Sequence, residues 1–227
     1  VTFQDFVTYM EDMKTKDRYK QDKQYWMEQM MEIPMGPALI AKKKVEEEDS
    51  HFQRLTYISE GDTWKKCRDN IMKHGLIQTT YLCECYREVL GYWSGSNDFS
   101  INLTTTNRGK LSGTENVIGD FTSLTILPMP QQHTSNIWEN ATGLQRKLIE
   151  VYSHAFFDGI DVEREFRKCH NLQSEIPFPV VFTSLMGGGK EEFDHEFFEA
   201  TDFSVSQTSQ VYLDCQVSEE EDTLIVT

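Results

Sequence analysis

Pro179-Val180-Val181-Phe182-Thr183-Ser184-Leu185 runs from a proline through three apolar residues, two of them β-branched, and then turns polar. So short an apolar run reads as a buried strand over Pro179 to Ser184. Working outward, Gln210 to Val217 reads as a last long strand and Phe121 to Leu127 as another. Phe99-Ser100-Ile101-Asn102-Leu103-Thr104 alternates, which gives a strand with one apolar face and one polar face able to look into a cleft. Helical periodicity fills the intervals: Thr63 to His74 with Asp62 or Thr63 as N-cap, Thr79 to Trp93, Ser135 to His154 and Val162 to His170. His74-Gly75-Leu76 separates the first two as a core-type helical hairpin, and Ser94-Gly95-Ser96 ends the second. Alternating strands and helices predict an α/β fold, a mixed β-sheet flanked by helices.

Residues 1 to 33 carry Phe3, Phe6, Val7, Met10, Tyr19, Tyr25, Trp26 and Met30 among dense charges, the pattern of one or two amphipathic helices, stopped by Ile33-Pro34-Met35-Gly36-Pro37. Lys42 to Asp49 is a charge run and reads as a solvated linker. A strand from about His51 to Ser59, with Phe52, Leu55 and Tyr57, is expected after it. The expected division is therefore 1–45 as a helical segment with linker and 46–227 as the main α/β body. There is no internal repeat. The closing Leu224-Ile225-Val226-Thr227 is strand-like and calls for a continuation, so both ends read as cut points in a longer protein.

With 227 residues, 38% hydrophobic and 12% aromatic, the chain can bury one sizeable core. A net charge of -15 argues against nucleic acid as a partner, because phosphate-binding faces are basic. Apolar runs such as Phe178 to Phe182 fall far short of the roughly 20 residues that cross a bilayer, and no signal peptide opens the chain, so a soluble, cytoplasmic protein is expected. Five cysteines (Cys67, Cys83, Cys85, Cys169 and Cys215) lack the paired spacing of a zinc site or disulfide framework. Cys83 and Cys85 read as buried thiols. The sequons at Asn102 and Asn140 are discounted, since nothing else points to secretion.

Three segments carry a resemblance: Ile118-Gly119-Asp120-Phe121-Thr122-Ser123, Pro179 to Leu185, and Ser206-Gln207-Thr208-Ser209-Gln210-Val211-Tyr212-Leu213-Asp214-Cys215-Gln216. Each is similar to a core motif of the heterocyclization domains of nonribosomal peptide synthetases, in that family's order and at about its spacing. One alone is weak; three in register are specific. Tyr25-Trp26, Tyr86 to Leu90, Trp93-Ser94-Gly95, and Phe99 to Thr106 with Asn107-Arg108 extend the resemblance over nearly the whole chain. It implies the C-terminal lobe of a condensation-type fold, in which two lobes like chloramphenicol acetyltransferase form a V around a tunnel. It also implies donor and acceptor peptidyl carrier proteins that bring substrates on phosphopantetheine, an adjacent adenylation domain, and an N-terminal lobe with a repeated-aspartate motif that these residues do not contain. No directly bound cofactor is implied, and independent activity of this half is not expected.

The implied chemistry is amide formation followed by closure of a cysteine, serine or threonine side chain onto the amide carbonyl, with loss of water, to a thiazoline or oxazoline. Both ring steps move protons, which a held carboxylate accelerates by about 10²- to 10⁴-fold. The resemblance places the catalytic pair at Asp214 and Thr183. Between Leu213 and Cys215, an inward-facing Asp214 is expected to be partly desolvated and its pKa raised. Thr183, at the end of a buried strand, can orient Asp214 or a developing oxyanion. Asn102 and Gln216 are expected to hold the amide carbonyl or the pantetheine arm, Ser184 to support the site, and Asp120 to shape the tunnel wall as part of a latch-like bend at Gly119. Cys215, one residue from Asp214, should face the other way as a buried spectator.

His154-Ala155-Phe156-Phe157-Asp158-Gly159 reproduces the His-xxx-Asp-Gly part of the condensation-domain signature, but Ser153 stands where a second histidine belongs, so it reads as a vestigial copy. Gly187-Gly188-Gly189-Lys190 lacks the remainder of a phosphate-binding loop, and the acids Glu191, Glu192 and Asp194 with His195 read as solvated surface rather than a metal site; no metal is predicted. Three other readings remain: ordinary amide-forming condensation, a non-catalytic lobe that docks carrier proteins, and a degenerate domain.

Overall fold

The computed structural model describes residues 1–39, 53–59, 61–130, 134–186, 210–220 and 222–227. In chain order these form α1 (Phe3–Met13), α2 (Asp17–Gln29), β1 (Tyr57–Ile58), α3 (Thr63–Lys73), α4 (Gln78–Ser94), β2 (Ser100–Thr106), β3 (Thr122–Pro128), α5 (Ile137–Tyr152), α6 (Gly159–Cys169), β4 (Val180–Ser184), β5 (Leu213–Glu220) and β6 (Thr223–Val226). The strands make one sheet in the order β1-β6-β5-β4-β2-β3. β2, β4 and β5 run parallel; β3, β6 and β1 pair antiparallel at the flanks, so the expected mixed α/β sheet is present.

Local chemistry sets the helix ends. Thr2 and Asp5 form a capping box on α1: the Asp5 N–H donates to Thr2 Oγ1 (3.2 Å) and the Thr2 N–H to Asp5 Oδ2 (2.8 Å). Asp158 accepts from the Ile160 and Asp161 amides at the start of α6. Asp62 precedes α3, as expected, but its side chain makes no capping bond. α4 stops where Gly95 takes φ of 70°, a left-handed conformation that a side chain would disfavour.

One face of the sheet packs on α4 and α5. Leu103, Phe182 and Val217 join Cys83, Leu90, Leu144 and Leu148 in the main core. Trp26, Met30 and Ile33 enter that same core, so the N-terminal helices pack as part of the body; the expected boundary at 45/46 lies outside the described residues. Of the expected strand over 51–59, the described residues 53–59 are strand at Tyr57–Ile58, paired with β6, and Leu55 is exposed. Cys83 is buried as predicted, whereas Cys85 is half-buried. The sequon residues Asn102 and Asn140 are both buried.

Inside α4 an ion pair is fully enclosed: Arg87 donates to Glu84 through Nε (2.9 Å) and Nη2 (2.6 Å). Burial pushes the Glu84 carboxyl up, and Arg87 opposes it. Replacing Arg87 by Met strands a buried carboxylate, a change that costs about 3–5 kcal/mol. The sign with pH follows: a carboxyl whose folded pKa is raised favours folding when protonated, so stability falls as pH rises from the unfolded value of about 4.3. Urea unfolding should find Arg87→Met strongly destabilised at neutral pH and less so below pH 5 or so; an equal loss at both pH values would contradict this account.

Aromatic packing ties α1 to the segment before β3. Phe3 and Phe6 of α1 meet Phe121 at ring-centroid distances of 5.3 and 4.6 Å, and the Arg108 guanidinium lies 4.1 Å from the Phe121 centroid. The Phe3 ring lies so close to Gly119 that an added Cβ would overlap it. Gly119→Ala should therefore cost about 1–3 kcal/mol by overpacking, read as a lowered thermal midpoint that Phe3→Leu in the same chain partly restores.

Candidate functional site on the sheet face

Three parallel strands build the site. Thr104 on β2 sits opposite Thr183 on β4, which sits opposite Gln216 on β5; one pleat away, Asn102, Val181 and Asp214 form the parallel row. Successive side chains alternate between faces, so these six share one face, and their neighbours Leu103, Phe182 and Cys215 share the other.

On that face the side chains are joined. Gln216 Nε2 donates to Asp214 Oδ2 (2.7 Å), Thr183 Oγ1 donates to Asp214 Oδ1 (3.4 Å), and the Thr183 and Thr104 hydroxyl oxygens are 2.8 Å apart. Both carboxylate oxygens thus have a donor, and the sheet brings Asp214, Thr183 and Gln216 together, with Gln216 bonded to Asp214 itself. Asp214 differs in one respect: its side chain is exposed among the described residues, not turned inward and desolvated, because the face it shares with Thr183 is the one that α4 and α5 leave uncovered.

Asn102 is buried on the same face. Its Nδ2 donates to the Phe178 carbonyl (2.8 Å), and its Oδ1 has no hydrogen-bond partner among the described residues. An unpartnered oxygen accepts, so of the two groups expected at Asn102, the amide carbonyl or the pantetheine arm, it suits the N–H groups of the arm.

Ser184 points to the opposite face. Being one residue beyond Thr183, it turns towards α4, where its Oγ lies 2.7 Å from Thr79 Oγ1, so it does not join the Asp214 cluster. Cys215 also faces away from Asp214, as expected, and burial pushes its thiol up to about 11. Asp120 is exposed in the bend before β3, where its Oδ1 accepts from the Thr122 amide (2.9 Å); bonding to Thr122 holds its carboxyl below the usual range.

His154 is committed elsewhere. Its ring stacks on Tyr25 at 3.8 Å, and its Nδ1 lies 3.2 Å from Oδ1 of the fully buried Asp22 on α2, which also accepts from the Phe156 amide. It anchors α2 to the end of α5. The Gly187–Lys190 loop, the acids around His195 and Ser206 to Ser209 lie outside the described residues. Among the described residues no helix is long and apolar enough to cross a membrane.

Thr104 is the member of the cluster that the sequence reading did not single out. The signal was present in the alternation of β2, which puts it on the polar face two residues beyond Asn102.

The sequence model of the family described as "Condensation domain" matches residues 1–227. The chain is 34% identical over its whole length to bacitracin synthase 1 of Bacillus licheniformis and 28% identical over 96% of its length to pyochelin synthetase PchF of Pseudomonas aeruginosa. It is 27% identical over 87% of its length to phenyloxazoline synthase MbtB of Mycobacterium tuberculosis. It spans only 4%, 12% and 14% of those proteins. Among solved structures, the nonribosomal peptide synthetase FmoA3 superposes over all of this chain and 23% of its own with a TM-score of 0.86 at 29% identity. The EpoB cyclization-docking bidomain of Sorangium cellulosum superposes over all of this chain and 46% of its own with a TM-score of 0.81 at 25% identity. The chain belongs to the condensation-domain family of nonribosomal peptide synthetases.

Proposed function

We propose that the chain is the C-terminal half of a heterocyclization domain, which joins carrier-bound substrates through an amide and then closes a cysteine, serine or threonine side chain into a thiazoline or oxazoline. The observation that carries this reading is the Thr183–Asp214–Gln216 cluster on the sheet face turned away from α4 and α5. The likeness to a phenyloxazoline synthase and to a cyclization bidomain supports the same reading.

The chemistry follows from the carboxylate. In the first ring step, the side-chain sulfur or oxygen bonds to the amide carbon while Asp214 takes its proton and passes it to the carbonyl oxygen, which becomes a hydroxyl. In the second, Asp214 takes the ring nitrogen's proton and delivers it to that hydroxyl, which leaves as water as the C=N bond forms. Thr183 and Gln216 hold the two carboxylate oxygens so that one geometry serves both steps. Asn102 Oδ1 is available to a pantetheine or amide N–H. The complementary lobe would cover the Asp214 face and exclude water. Peptidyl carrier proteins would deliver the phosphopantetheine-bound substrates, and an adenylation domain would load them; the chain itself needs no bound cofactor in this scheme.

The test compares products of the complete module for wild type and Asp214→Asn by mass spectrometry. The proposal expects the variant to accumulate an uncyclised amide heavier by one water. An unchanged heterocyclic product would remove Asp214 from the mechanism and leave a lobe that docks carrier proteins.

A further inference from the structure

Thr104 and Thr183 face each other across the β2–β4 pair with their hydroxyl oxygens 2.8 Å apart, closer than the 3.4 Å between Thr183 and Asp214. A hydroxyl has one proton to donate. Thr183 Oγ1 donates its proton to Asp214 Oδ1, so the proton between the two threonines must come from Thr104. The chain therefore has one direction, Thr104 to Thr183 to Asp214, while Gln216 secures the other carboxylate oxygen from β5. Without Thr104, the Thr183 hydroxyl keeps its acceptor but loses the donor that fixes its rotation.

We infer that Thr104 is a positioning residue for ring closure, which orients the Thr183 hydroxyl onto Asp214 by a hydrogen bond across the parallel strands. The inference rests on the reading of Asp214 and Thr183 given above. The arrangement also reverses without moving an atom other than hydrogen: when Asp214 holds a proton, it donates to Thr183 and Thr183 donates to Thr104. Thr104 thereby supports both protonation states that the two ring steps require. Its short, β-branched side chain on a central strand has few rotamers, so the oxygen is placed by the backbone.

Thr104→Val keeps the shape and removes the hydroxyl; Thr104→Ser keeps the hydroxyl. In the complete module, amide formation and ring closure are timed separately by quenched-flow mass spectrometry, with thermal midpoints recorded for each variant. Thr104→Val should slow ring closure relative to amide formation by about 10- to 100-fold, the scale on which a misplaced group slows a reaction, and Thr104→Ser should restore the ratio. The inference is overturned if Val leaves the ratio unchanged, if Ser is as slow as Val, or if both steps fall together with the thermal midpoint. Thr183→Val and Asp214→Asn run alongside: if neither slows ring closure, the functional reading itself fails; if they do and Thr104→Val does not, only the role of Thr104 fails.

Discussion

Backbone hydrogen bonding between β2, β4 and β5 sets everything at the candidate site, since parallel pairing in one register brings Thr104, Thr183 and Gln216 into a row and Asp214 one pleat away. A slip of one residue on any of these strands would turn its polar side chains into the core and its apolar ones outward. The register is held by what lies on the other face: Leu103, Phe182 and Val217 have places against α4 and α5 that the threonines, the aspartate and the glutamine could not fill. The buried face thus chooses the alignment, and the polar face inherits it.

The rest of the molecule supports that sheet. The Glu84–Arg87 pair lies within the helix that covers it, and the Phe3, Phe6 and Phe121 cluster pins α1 near the bend that leads into β3. His154 belongs to this supporting structure. Its ring is stacked on Tyr25 and bonded to Asp22.

Much of this was legible in the sequence because it follows from period and composition. The alternation in Phe99–Thr104 and the apolar run Val180–Phe182 located two of the three parallel strands, and the helical stripes located α3 to α6 to within a few residues and gave residues 1–33 as one or two helices. Placing Thr183, Asp214 and Gln216 together needed the resemblance as well, because no local pattern says which strands are neighbours. Four features escaped. Among the described residues 53–59, Tyr57–Ile58 alone is strand, through its partner β6, so the propensity of that stretch overstated it. Ser184 lay in the right motif but on the wrong face, which strand alternation alone could have told. The exposure of Asp214 depends on which face the helices cover, a tertiary fact, and Thr104 gains its interest only from the residue across the strand pair.

The central claim is that Asp214, held by the strand register, moves the protons of ring closure. Supplying the complete domain with a carrier-bound amide already formed, and following loss of water in a single turnover, isolates that step from condensation. The account predicts that Asp214→Asn slows water loss by about 10²- to 10⁴-fold, the range expected for general acid–base work, while the substrate still binds. Equal single-turnover rates for the two proteins would contradict it.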